Sequence, residues 1–216
     1  MRLYKYVKVF ANMTQHEVSE AFDDKRIKVN GEIQNFTYIV KDEDIISLDD
    51  KVISTIPFKY FLYYKPRGVL SDLKDSMDAY HKHIGFDYKL MPVGRLDKDS
   101  EGLMILSNDG AFIHKMNSDD IEKEYIVKLK DVVTDKLLEE ASKSFIIKGK
   151  STKEMKIEKI DDYTIKMILF DGRYHQIRRA IIFAGNTVIN LKRVRVGEYL
   201  LDNMKVNEIR EIKKGL

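Results

Sequence analysis

Residues 94–110 read GRLDKDSEGLMILSNDG, an acidic loop followed by an apolar run and an Asn-Asp-Gly turn. The apolar run predicts a strand over 103–107, and the turn residues predict where it ends. In the loop, Arg95 and Leu96 place a cation and an apolar group beside Asp97. A carboxylate held near cations stays ionised and can act as a nucleophile or base, although such a loop is also typical of a solvated turn.

The elements around this stretch predict an α+β domain over 58–216. Helices and strands do not alternate regularly, so we expect a mixed, largely antiparallel sheet flanked by helices and no doubly wound fold. The pattern predicts helices over 112–116, 134–144 and 174–184. It predicts strands over 59–64, 103–107, 124–130, 153–159 and 163–170.

A smaller unit precedes this domain, over 1–55. Apolar residues at helical spacing over 2–11 predict a first helix, and the capping box formed by Thr14 and Glu17 opens a second. The Asn30-Gly31 pair predicts a hairpin, and the stretch DIISLDDKVI predicts a further strand and turn. Pro57 is the expected linker.

Composition narrows the possible functions. The 216 residues are 44% hydrophobic and carry a net charge of +3, which is compatible with RNA binding without requiring it. The absence of cysteine excludes disulfides, thiolate catalysis and sulfur metal sites. No signal peptide or long apolar run appears, so we expect a cytoplasmic protein with no membrane partner.

A second informative stretch is FDGRYHQIRRA, residues 170–180. A turn at Asp171-Gly172 leads into a helix whose apolar side faces inward. Arg178 adjoins that side and therefore needs an anionic partner, for which Asp97 is a candidate. Arg179 suits a solvated position better.

The N-terminal unit resembles the S4 RNA-binding domain, in which two helices and a hairpin with a VNG turn grip structured RNA. The resemblance implies that Lys25, Arg26 and Lys28 contact RNA phosphates. Its helices depart from the family by carrying uncharged or acidic residues where basic ones are usual, so we expect weaker phosphate affinity. The alternative is a module that serves only packing or protein contacts.

The whole chain resembles the RsuA/RluB/RluE/RluF family of ribosomal RNA pseudouridine synthases, and RsuA most. The motifs that carry the resemblance occur in the family's order: LYYKPRGVLSD (62–72), PVGRLDKDSEGLMILSNDG (92–110), KEYIV (123–127), GRYHQIRR (172–179) and LKRVRVGEYLL (191–201). It implies isomerisation of uridine to pseudouridine in ribosomal RNA, on free RNA or an assembling subunit. No cofactor or metal is expected, since nothing is oxidised and no group is imported.

The resemblance also implies roles for single residues. Asp97 is the catalytic aspartate, Tyr125 packs on the uracil ring and Arg178 pairs with the aspartate. Leu191 closes the apolar wall of the pocket, and Arg95 helps to hold the target base out of the stack. Read without the family, Tyr125 is as well explained as core filling.

Three further residues are candidates for contacting the substrate, and each has an alternative, purely structural role. Lys65, with Pro66 and Gly68, is expected first to shape the loop beside the active site. His175 and Gln176 can donate to that loop or to the substrate backbone, and a structural histidine is equally consistent with the sequence.

Competing functions remain at this point. A glycoside hydrolase needs two carboxylates set apart across the sugar, which Asp97 with Asp99 or Glu101 on one loop would seldom provide. A non-catalytic S4-containing RNA-binding protein has no chemical need for the aspartate, tyrosine and arginine together.

The lack of a long basic tail favours the small-subunit (16S) RNA over the large-subunit (23S) RNA as the substrate. We also expect the protein to be a monomer.

Overall fold

The computed structural model describes residues 1–41, 43–53, 58–71 and 90–213. The chain divides into two compact units, Met1–Phe58 and Lys59–Leu216. The division falls beside the expected linker, although Pro57 itself lies outside the described residues. Among the described helices, none has the length and apolar character needed to cross a membrane.

The first unit contains the predicted helices and hairpins. Its elements are α1 (Leu3–Phe10), α2 (Gln15–Asp23), β1 (Ile27–Val29), β2 (Glu32–Ile33), β3 (Ile46–Leu48) and β4 (Lys51–Val52). The capping box before α2 is confirmed, since the backbone N–H of Glu17 donates to the Thr14 hydroxyl and the Thr14 N–H to the Glu17 carboxylate. The strands form an antiparallel sheet in the order β2-β1-β3-β4.

The second unit is built on one large mixed sheet with helices on both faces, as predicted. Its helices are α3 (Gly110–Met116), α4 (Asp135–Ser142) and α5 (Gln176–Phe183). Its strands are β5 (Tyr60–Lys65), β6 (Met91–Val93), β7 (Glu101–Ser107), β8 (Lys123–Leu129), β9 (Ile146–Ile147), β10 (Lys150–Ser151), β11 (Lys156–Asp161), β12 (Thr164–Leu169), β13 (Val188–Val196), β14 (Tyr199–Leu200) and β15 (Ile209–Ile212).

The main path of the large sheet runs β11-β12-β8-β13-β7-β5-β15, with β14 paired to β13 and β6 to β7. Along the central strand β5, side chains alternate between two cores. Phe61 and Tyr63 of β5 belong to the core covered by α4 and α5, whereas Tyr60, Leu62 and Tyr64 belong to the core covered by α3. The hairpin β9–β10 is a separate two-stranded sheet.

The pairing of β7 with β13 is the parallel one among the strand pairs that the structure describes. It depends on Gly102, whose φ is +116°. A Cβ at this position would lie 2.6 Å from the backbone nitrogen of Arg193 and would overlap its carbonyl oxygen. Glycine is therefore required for the two strands to lie side by side.

This sheet differs from the sequence-based expectation in four strands that were not predicted, β6, β13, β14 and β15, and in the start of one predicted strand. Strand β13 was not predicted, because register shifts near Val188/Asn190 and Arg193/Arg195 interrupt its alternation. The strand predicted over 153–159 begins only at Lys156. The preceding backbone N–H groups bond elsewhere, since Lys153 donates to the Asp171 carboxylate and Met155 to the Ser142 carbonyl.

Candidate active site

An open cavity of about 80 Å³ lies in the second unit, where the loop before β7 meets β8, β13 and the N-terminal end of α5. Of the residues predicted for the site in this unit, only Lys65 does not line it. Its walls are Arg95, Leu96, Asp97, Ser100, Tyr125, Leu169, Gly172, Arg173, His175, Gln176, Ile177, Arg178 and Leu191. The fold thus brings together side chains from four of the five motifs that the sequence singled out.

The loop that carries Asp97 is held in place by its backbone. The N–H of Ser100 donates to the carbonyl of Asp97 at 3.0 Å, and the N–H of Gly68 donates to the carbonyl of Lys98 at 2.7 Å. The hydroxyl of Ser71 donates to the carbonyl of Leu96 at 2.7 Å and accepts from its N–H at 3.1 Å. These bonds fix the direction in which the Asp97 side chain leaves the loop.

The Asp97 carboxylate lies between two basic side chains, Arg178 of α5 and His175 at the N-terminal end of that helix. The Nε of Arg178 lies 3.9 Å from one carboxylate oxygen, and the Nε2 of His175 lies 3.5 Å from the other. The predicted pairing of Arg178 with Asp97 is therefore present as a loose ion pair, longer than a direct charge-assisted hydrogen bond. The carboxylate is about one-third exposed and keeps lone pairs free for a substrate.

Arg178 makes its short hydrogen bonds to the loop itself. Its Nη2 donates to the carbonyl of Asp99 at 3.0 Å and to the hydroxyl of Ser100 at 3.2 Å. One guanidinium group thus positions the backbone of the loop and faces the carboxylate at the same time, which suits the planar geometry of arginine.

The apolar wall of the cavity comes from neighbouring strands. Tyr125 of β8 is 8% exposed and Leu191 of β13 is 4% exposed, and both also belong to the core beneath α4 and α5. In the β8–β13 register, Leu191 lies opposite Val127 and Arg193 lies opposite Tyr125. The side chains of Tyr125 and Leu191 are therefore diagonal neighbours. Tyr125 is therefore a core residue and a wall residue at once.

Lys65 lies behind the loop instead of in the cavity. It is fully buried, and its Nζ donates to the carbonyls of Ser100 at 2.7 Å and Pro66 at 2.8 Å. Burial lowers the pKa of the Lys65 amine to about 8, against the opposing pull of the carboxylates of Asp97 and Asp99. These contacts support its role in shaping the loop and leave its amine out of reach of a substrate.

Gln176 and His175, at the start of α5, differ in their contacts. Gln176 is buried, its Nε2 donates to the Asp171 carboxylate and its Oε1 accepts from the N–H of Arg173, both at 2.9 Å. Its polar atoms therefore stabilise the loop before α5. His175 has a left-handed backbone, with φ of 52°, and directs its ring toward Asp97.

The sequence analysis missed two residues that organise the site. Asp171 is 4% exposed and accepts hydrogen bonds from Lys153, Arg173 and Gln176, although its sequence context indicated only a turn. Ser100 is fully buried and links Lys65 to Arg178. Asp171 joins the nearby Arg173 and Gln176 to the distant Lys153, and Ser100 joins two distant residues, so neither role is marked by a local pattern alone.

The basic residues predicted to contact phosphates belong to the first unit. Arg26 donates to both carboxylate oxygens of Asp49, at 2.6 and 2.7 Å, and the Nζ of Lys28 donates to Asp50 at 2.6 Å. Lys25 is exposed. Two of the three charges are therefore compensated within the unit. In the described ranges of the chain, no group of three or more acidic or histidine side chains could hold a metal ion.

Comparison with known proteins identifies the family. The model for RNA pseudouridylate synthase matches residues 59–182. The chain is 32% identical to ribosomal small subunit pseudouridine synthase A of Haemophilus influenzae, over 94% of this chain and 91% of that protein. It is 28% identical to ribosomal large subunit pseudouridine synthase B of Bacillus subtilis, over 98% and 91%.

A crystal structure of a pseudouridylate synthase superposes with a TM-score of 0.67 at 30% identity, covering 99% of this chain and 96% of that one. The family model and the full-length relatives agree with each other and with the fold. The chain belongs to the RNA pseudouridylate synthase family and is a pseudouridine synthase.

Proposed function

We propose that this enzyme converts uridine to pseudouridine in small-subunit ribosomal RNA, with Asp97 as its catalytic residue. The observation that carries the proposal is the position of the Asp97 carboxylate, 3.5 Å from His175 and 3.9 Å from Arg178 in a pocket with one apolar wall. The Haemophilus relative, which is named for small-subunit RNA, supports the choice of substrate.

The isomerisation needs one carboxylate. The C1′–N1 bond of the uridine breaks, the uracil turns over, C1′ bonds to C5, the proton on C5 leaves and N1 is protonated. Asp97 can attack the ribose C1′, add to C6 of the uracil or remove the 2′ proton, and each route uses the same side chains. Arg178 and His175 flank the carboxylate and orient it.

The detached uracil must stay captive between bond breaking and bond formation. Tyr125 and Leu191 supply an apolar wall against which the ring can pack. Arg95 also lines the cavity, and in this proposal it holds the target base out of the helical stack. The reaction is intramolecular and redox-neutral, so these residues suffice without a cofactor.

The first unit serves as an S4-like RNA-binding module in this proposal. Its two helices and hairpin match the expected elements, and Lys25, Arg26 and Lys28 lie around the hairpin. Because Asp49 and Asp50 compensate Arg26 and Lys28, the module contributes modest phosphate affinity. The enzyme works as a monomer in the cytoplasm, where ribosomal RNA is assembled into subunits.

The test is modification of unmodified small-subunit and large-subunit RNA transcripts by the purified protein, with pseudouridine mapped along each RNA. We expect modification at a defined uridine of the small-subunit transcript. Modification confined to the large-subunit transcript would reassign the substrate. Lack of pseudouridine in both transcripts and in assembling subunits would contradict the proposal. Deleting the gene and mapping both subunits provides the independent measurement.

A further inference from the structure

The residue before His175 is an aromatic one with an exposed ring, which contacts the cavity-lining His175. Tyr174 is 56% exposed, and its ring stacks on His175 with centroids 3.9 Å apart and planes 15° from parallel. His175 in turn lies 3.5 Å from the Asp97 carboxylate. A two-ring stack therefore leads outward from the catalytic carboxylate to the solvent.

Two cations lie near the Tyr174 ring. The Nζ of Lys148 is 5.3 Å from the ring centroid and the guanidinium carbon of Arg179 is 5.6 Å from it. Lys148 occupies the exposed turn between β9 and β10, with φ of 49°. Arg179 projects from α5. Within the ranges that the structure describes, neither cation forms an ion pair with a carboxylate.

The exposed Tyr174 ring and its two cations do not belong to the hydrophobic core. An exposed tyrosine contributes little to folding, so the ring and its two neighbouring cations are not explained by burial. Aromatic rings that stack bases, together with cations that track the backbone, are the elements of single-stranded nucleic-acid sites. The site also lies where an RNA strand must pass if its uridine is to reach Asp97.

We propose that Tyr174 is the stacking surface for the nucleobase next to the target uridine, and that Lys148 and Arg179 contact the adjoining phosphates. The inference rests on the proposed function, since the ligand is the RNA substrate. Extrusion of the uridine leaves its neighbour with one unstacked face. The Tyr174 ring covers that face, and the stack of neighbour, Tyr174 and His175 replaces the lost stacking beside the catalytic carboxylate.

The chain contains no tryptophan, which provides a direct test. The Tyr174→Trp protein carries a single indole at the proposed site and keeps an aromatic surface there. The control is Tyr163→Trp, at an exposed position (46%) in the turn between β11 and β12. Both proteins are titrated with the unmodified small-subunit and large-subunit transcripts. We expect quenching of the emission for Tyr174→Trp and no specific change for Tyr163→Trp.

Substitution tests the same site by rate. Tyr174→Ala should lower single-turnover modification and RNA affinity about 5- to 100-fold, because each stacked base is held by about this factor. Tyr174→Phe should stay within about twofold of the wild type, since the ring is kept. Tyr163→Ala should also match the wild type. A purely structural role for Tyr174 would not produce base-induced quenching of the indole.

The outcomes separate this proposal from the function on which it rests. A wild-type enzyme that modifies a transcript, combined with unquenched Tyr174→Trp and fully active Tyr174→Ala, would overturn the stacking site alone. A wild-type enzyme that modifies neither transcript counts against the proposed function. Quenching depends on RNA binding and does not depend on turnover. It therefore supports the stacking site whichever transcript is modified.

Discussion

Basic side chains meet acidic ones in both units of the molecule, but at different distances. In the first unit, Arg26 and Lys28 contact Asp49 and Asp50 at 2.6 to 2.7 Å. In the second, His175 and Arg178 lie 3.5 and 3.9 Å from Asp97. The first set is compensated, whereas the second leaves its carboxylate accessible.

The difference arises from what else holds each cation. Asp49 and Asp50 form the turn between β3 and β4, so they present carboxylates beside the neighbouring strand. Arg178 instead donates its short hydrogen bonds to the carbonyl of Asp99 and the hydroxyl of Ser100. A count of charges in the sequence therefore overstates the phosphate affinity of the first unit and does not reveal how the site is held open.

The largest effect is expected at Asp97. Asp97→Asn keeps the size of the side chain but removes the nucleophile or base, so turnover should fall at least about 10³-fold. RNA affinity should stay the same or rise slightly, because one negative charge is lost. Single-turnover modification and equilibrium binding measure the two quantities. Activity of the variant within tenfold of the wild type would refute the assignment.

Arg178→Lys tests whether the geometry of the cation matters. Lysine keeps the charge but cannot bond Asp99 and Ser100 while facing Asp97, so turnover should fall about 10²-fold. Arg179→Lys is the matched control, and it should lower turnover less than about threefold because the charge remains near Tyr174. Single-turnover rates, with binding at two salt concentrations, measure both. Equal, mild effects at the two positions would mean that Arg178 is only a phosphate contact.

Lys65 predicts a pH dependence of stability. Its pKa is about 8 in the fold against an ordinary value of 10.5, so between these pH values the unfolded chain binds more protons and stability rises with pH. From about pH 7.5 to pH 10, the unfolding free energy of the wild type should therefore gain about 2 kcal/mol relative to Lys65→Met. Urea unfolding of both proteins across this range measures the difference. A pH-independent difference would show that the buried amine titrates normally.

The smallest effect is expected in the first unit. Asp49→Asn with Asp50→Asn frees Arg26 and Lys28, so RNA affinity should rise about two- to fivefold with a steeper salt dependence. Glu198→Gln with Asp202→Asn, at exposed positions of the second unit, changes the net charge equally. Binding titrations at several salt concentrations compare the two variants. An equal gain in RNA affinity for both double variants would mean that the effect comes from the net charge alone.

Local patterns predicted much of this fold. The Thr14 capping box, the Asn30-Gly31 turn and the alternating strands on either side are specified by neighbouring residues. The ordered motifs also placed Asp97, Tyr125 and Arg178 in one site, and all three line the cavity. Their chemical roles stay predictions until the variants are measured.

Features that depend on distant contacts could not be predicted in this way. Strand β13 lacks regular alternation because it bulges twice to fit between β7 and β8. The burial of Lys65 depends on the carbonyl of Ser100, and the role of Asp171 depends on Lys153. In each case the partner lies far along the chain, so only the folded structure shows why the residue is there.

The parallel pairing of β7 with β13 has a consequence for folding. Neighbouring antiparallel strands such as β11 and β12 can pair soon after synthesis, whereas closing β7 onto β13 requires the long intervening chain to be in place. Leu191 reaches the loop of Asp97 only through that late step. A nascent or partly folded chain therefore has no pocket, so ribosomal RNA meets a competent enzyme only after β13 has been synthesised and inserted into the sheet.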